Sequence, residues 1–179
     1  MHQVIKCMSR LRVFNTSIFL FIVFIIQETM VSRINFPING FSFYIATLMV
    51  VLSLEDRTGS LVFGFIGGLI MDLSTTADTP FGQWALVMTI MGYLFTINKE
   101  SIGDYTDAPI AFIGFVSFAS AFSLLVFVII GTLLGQQIGG IFRNISLIFA
   151  NTIWTLLIMP LFLPLIIRVR KALLTSREK

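Results

Sequence analysis

Long apolar runs separated by short polar breaks organise the whole chain. Crossing a hydrocarbon core of ~30 Å takes roughly 17–25 apolar residues in a helix. Runs of about that size fall at residues 13–32, 34–54, 80–97, 108–134 and 145–167, with a shorter one at 59–73. The breaks between them read "EDRTG", "STTADTP", "NKESIGDYTDAP" and "GQQIGG". In two of them a capping residue and a proline, Thr79-Pro80 and Asp107-Ala108-Pro109, suit a helix start. The glycines at 131, 135 and 139 are interrupted by Gln136 and Gln137, which predicts that the fifth helix ends inside that run. The pattern predicts an all-α integral membrane protein, a single bundle of about six transmembrane helices.

Composition sharpens this. Of 179 residues, 56% are hydrophobic and 12% charged, with a mean hydropathy of +0.95. A soluble domain carries about a quarter charged residues, so water is not this chain's main solvent. A net charge of +3, held close to apolar segments, does not suggest nucleic acid. The placement of charge says more than its sum. With six spans and both termini in the cytoplasm, the inner segments hold Lys6, Arg10, Arg12, Arg57, Lys99, Arg168, Arg170, Lys171, Arg177 and Lys179; the outer loops hold Arg33 and Arg143. That is the positive-inside bias of a cytoplasmic membrane protein. Were 59–73 re-entrant, five spans would send the basic C-terminus outside, so six is the expected count. The organisation is then a basic N-terminus (1–12), a transmembrane domain (13–167) and a basic C-terminus (168–179), the first span being a retained anchor because no small-residue cleavage site follows it.

Catalytic chemistry is sparse. The lone Cys7 forms no intrachain disulfide, and the single histidine, His2, leaves no Ser/His/Asp set or Cys/His metal framework. There is no phosphate-binding G-x-x-x-x-G-K-[ST] loop and no H-E-x-x-H. Neither an enzyme nor a bound cofactor or metal is expected.

The most informative stretch is "GFIGGLIMDLSTTADTPFG", residues 64–82. Ser60, Gly64, Gly68 and Asp72 recur every four residues and so share one helix stripe. Paired glycines let another helix backbone approach closely. That helix belongs either to the same bundle or to a separate protein. Asp72 lies near the end of its run, where a charge in hydrocarbon must face protein or water. Two readings stand: a hydrated helix-end residue, or a polar node tying the third helix to the following loop or to an outer arginine, Arg33 or Arg143. In the last run Asn144, Asn151 and Thr155 lie along one side and can bond between helices, while Pro160 and Pro164 each remove a backbone bond.

At "GFIGGLIMDLSTTADTPFGQWALVMTIMGYL" the chain resembles the rod shape-determining protein MreD family. The resemblance rests on Gly64, Gly68 and Asp72, then Phe81-Gly82, Ala85-Leu86 and Gly92-Tyr93. It covers about thirty residues, and the loop from Asp72 to Gly82 is a couple of residues longer than the pattern. It implies a non-catalytic membrane subunit of the bacterial cell-elongation machinery, in the cytoplasmic membrane. Its implied partner is an MreC-like membrane protein, and through it MreB filaments and peptidoglycan synthases, with Gly64, Gly68, Asp72 and Gly82 at the helix contacts. The family is also similar in fold to the membrane substrate-binding subunits of energy-coupling-factor transporters. That makes a solute-binding subunit of a vitamin transporter the alternative. Those subunits carry an alanine track in helix one, whereas no alanine precedes Ala46 here.

Overall fold

The computed structural model describes residues 10–29, 42–74, 80–97, 108–136 and 140–175. Among them lie six α-helices and no strand: α1 Arg10–Thr29, α2 Phe43–Leu54, α3 Arg57–Asp72, α4 Gln83–Ile97, α5 Pro109–Leu133 and α6 Ile141–Thr175. Three of them, α1, α5 and α6, hold stretches long and apolar enough to cross a membrane. Each helix overlaps one of the apolar runs. Arg33 and the part of the second run before Ser42 lie outside the described residues.

The packing follows from which helices have a polar or lipid-like face to spare. Every residue of α2 from Tyr44 to Ser53 is buried, as befits a helix apolar all round. It forms the axis. Around it α1, α3, α4, α5 and α6 make a closed ring, each touching its neighbours in the order α1–α3–α4–α5–α6–α1 and each touching α2. The ring helices turn one side inward and leave another exposed. On α4, Leu86, Ile90, Tyr93 and Ile97 face out while Ala85, Met88, Met91 and Phe95 face in. On α1, Phe14, Ile18, Phe21 and Ile25 face out while Leu20 and Val23 face in.

Several boundaries differ from the sequence pattern: α1 begins at Arg10, α3 at Arg57 and α6 at Ile141, each ahead of its apolar run. α4 begins at Gln83 rather than Pro80, because Pro80 is spent in a turn closed by the Gln83 N–H on its carbonyl, 3.2 Å. α6 runs on to Thr175, past the first of the basic C-terminal residues, and its helix continues through Pro160 and Pro164. α5 ends at Leu133 within the glycine run, and Gly135 closes it with φ +76°, a conformation that L side chains rarely adopt.

Candidate functional site

Polar chemistry collects at the two ends of the bundle, joined by a glycine seam. At one end the α2–α3 joint puts Glu55 and Asp56 in extended backbone between two helices. Glu55 is 1% exposed, and a buried charge costs heavily unless paired. Two arginines meet it. Arg12 of α1 binds its Oε2, and Arg170 of α6 donates to its Oε1 at 3.3 Å. Arg170 also donates to the Leu54 carbonyl at 2.6 Å, satisfying an orphan acceptor at the end of α2. Arg12 further reaches Asp56 at 3.2 Å, a carboxylate 65% exposed. One buried carboxylate thus clasps the first helix to the last.

At the other end Asp72 holds the α3–α4 hairpin. Its two carboxylate oxygens accept the backbone N–H groups of Trp84 and Ala85, each at 3.0 Å. These are orphan donors of the first turn of α4, where the helix dipole favours an anion. The residue before α4 is Gly82, with φ +96°. It has no side chain with which to cap its own helix, and Asp72 supplies the cap from the neighbouring one.

Between these ends the glycine stripe meets α4. A Cβ on Gly68 would strike the Trp84 carbonyl oxygen and lie 2.5 Å from the Ala85 Cα. On Gly64 it would strike the Met88 carbonyl. Gly92 answers from α4, its would-be Cβ striking the Ser60 carbonyl. The pairs 60/92, 64/88 and 68/84 set one antiparallel register that brings Asp72 to the start of α4. The face left open by the sequence between a bundle neighbour and a separate protein is therefore filled by α4 of the same chain. Gly82 lines no such contact: nothing lies within 4 Å of its would-be Cβ.

The other node candidates are placed differently. Arg143 is exposed on the first turn of α6 and makes no ion pair with Asp72 among the described residues. Asn151 is fully buried, and its Oδ1 accepts the Ser42 N–H at 3.0 Å. Together with Gln27, whose Oε1 accepts Phe43 N–H at 2.8 Å, it caps the start of α2. Among the described residues, Asn151 Nδ2 and Thr155 Oγ1 are buried with no hydrogen-bond partner. Glu55, Arg12 and Arg170 went unrecognised in the sequence because they lie 43 and 115 residues apart. The described residues hold no group of His, Cys, Asp or Glu able to bind a metal.

Fold and site together define, among the described residues, an all-helical arrangement of membrane character in which a buried ion-pair clasp and a carboxylate cap hold the bundle's ends. Comparison with protein-family models, with curated proteins and with solved structures gave no match.

Proposed function

We propose that this protein is a six-span, non-catalytic subunit of the bacterial cell-elongation complex, in the cytoplasmic membrane with both termini inside. In this role it binds an MreC-like membrane protein and so helps maintain rod shape. The observation that carries the reading is that the residues behind the family resemblance form one physical unit. Gly64, Gly68, Asp72, Gly82, Ala85 and Gly92 all belong to the capped α3–α4 hairpin. An ordered motif that builds one rigid hairpin, with no reactive group in it, suits a scaffold. Because α4 covers Gly64 and Gly68, the partner's helix in this reading sits on an exposed apolar face instead.

A second reading, a solute-binding subunit of a vitamin transporter, draws on the unpartnered Asn151 Nδ2 and Thr155 Oγ1 inside the bundle. Depletion from a rod-shaped host separates the two. The scaffold reading expects rounded, swelling cells with normal vitamin uptake, and an MreC-like protein co-purifying in mild detergent. Rods that persist, with growth rescued by excess of one solute, would overturn it. Topology is checked at Cys7, which should react with an impermeant thiol reagent only after cells are opened.

A further inference from the structure

Two ring contacts fix how α4 lies along α5. Trp84 stacks on Phe127 with centroids 4.1 Å apart, and Phe95 packs against Phe115 at 5.4 Å. The eleven residue steps from 84 to 95 match the twelve from 115 to 127, so the axes run side by side in antiparallel register. Yet α4 has 15 residues and α5 has 25. At ~1.5 Å per residue, α5 outruns its neighbour by ~15 Å, shared between both ends. Tilting the molecule does not remove a difference between two helices that lie alongside each other.

The overhangs are apolar and bare. Ile110 is 85% exposed at one end of α5 and Leu133 80% at the other, with Phe142 of α6 90% exposed next along the chain from that second end. The α3–α4 hairpin offers a shorter apolar edge, with Leu73 and Phe81 exposed at its turn and Ile97 at its other end. Asp56 and Arg57 begin α3, and Asp72 ends it with its carboxylate on the α4 backbone. Within its helices, the apolar length of α3, Thr58 to Met71, is 14 residues or ~21 Å, against 24 residues or ~36 Å for Ile110 to Leu133 of α5. A hydrocarbon core of ~30 Å is too thick for one edge and too thin for the other.

We propose that the molecule imposes a step in bilayer thickness, binding shorter phospholipid acyl chains along the α3–α4 edge and longer ones along α5–α6. The proposal rests on the six-span reading, because α3 and α4 must be immersed. A bilayer meeting a short apolar edge thins, and one meeting a long edge thickens. Here both edges belong to one closed ring of helices, so the two responses occur within one molecule's width.

Local lipid preference is measurable by tryptophan quenching. In a Trp84→Phe/Trp154→Phe background, Phe65→Trp reports from the middle of α3 and Leu157→Trp from the middle of α6, both exposed. A second pair, Ile90→Trp on α4 and Phe118→Trp on α5, covers loss of either first variant to misfolding. Each is reconstituted in phosphatidylcholine vesicles containing brominated lipids with chains of roughly 14 to 22 carbons. The expected result is at least a roughly two-fold quenching preference for the short chains at the α3 and α4 probes, and the reverse at α5 and α6. The same preferred chain length at all probes overturns the proposal. If Phe65→Trp and Ile90→Trp are quenched by no lipid while the others are, the six-span reading fails, and the proposal with it.

Discussion

Removing the Asp72 carboxylate should loosen the α3–α4 hairpin at its open end. Asp72→Ala strips the acceptor from two backbone amides, Trp84 and Ala85. A hydrogen bond to a charged group contributes ~1.5–3 kcal/mol. Loss of an ordinary N-cap costs ~1 kcal/mol. Asp72 is only half-buried, so water recovers part of the loss, and ~2–3 kcal/mol for the pair is the working figure. Gly82 has no side chain to take over, which keeps the cost at the upper side of a single cap. On the scaling for globular chains of this length, ~2–4 °C per kcal/mol, the thermal midpoint should fall by about 4–12 °C. Asp72→Asn retains one acceptor oxygen and turns an NH2 group toward the other amide, so its fall should be about half. The assay is thermal unfolding of purified protein in mild detergent, with near-wild-type protein level as the condition for comparing the variants. An Asp72→Ala midpoint within about 1 °C of wild type, or an Asn variant worse than Ala, would refute the capping argument.

Three further outcomes follow from the same geometry. Glu55→Ala leaves two half-buried guanidiniums without their shared carboxylate, Arg12 keeping Asp56 and Arg170 the Leu54 carbonyl. It should cost ~3 kcal/mol, the low end for breaking a buried pair, whereas Asp56→Ala at the exposed rim should cost under ~1 kcal/mol; equal midpoints in detergent would remove the clasp from the account. Gly68→Ala should destabilise by ~1–3 kcal/mol through overpacking against Trp84 and Ala85, while Gly114→Ala, with open space around its Cβ, should be neutral or stabilising by up to ~1 kcal/mol; the reverse ranking by thermal unfolding would deny the close approach. Thr155→Val removes a buried hydroxyl without a partner and should raise the midpoint by a few degrees, about 1 kcal/mol; a lowered midpoint would mean that the hydroxyl is engaged by a bound molecule, which favours the solute-binding reading.

The order of helices was legible because each apolar run carries one, and the polar breaks between runs survive any packing; three of the six, α1, α5 and α6, are long and apolar enough to cross a membrane. The ring around α2 was not legible. Run 34–54 is no more apolar to the eye than 108–134, and only tertiary contact distinguishes an axis from a wall. The glycine stripe could be read as a close contact, but its occupant could not, since Gly92 reports its role only once the 60/92 register is known. Asp72 was visible as a polar node, yet its partners are backbone amides, which every residue has and no sequence advertises. The arginine clasp was hidden for a different reason. Arg12 and Arg170 flank apolar runs, where basic residues are expected for topology alone, and Glu55 sits in a break that looked merely polar.

The clasp also sets a clock on biogenesis. Arg12 has been made before Glu55 emerges, but Arg170 follows it by 115 residues. At ~5–20 residues per second, the nascent chain carries a half-neutralised carboxylate for roughly 6–23 s before the last helix arrives. A chain that stops short of Arg170 never completes the pair, and its second helix keeps a bare carbonyl at Leu54. In such products Arg12 alone faces the Glu55 and Asp56 carboxylates. The contact that closes the ring between α1 and α6 at this end is thus the last of the clasp to form.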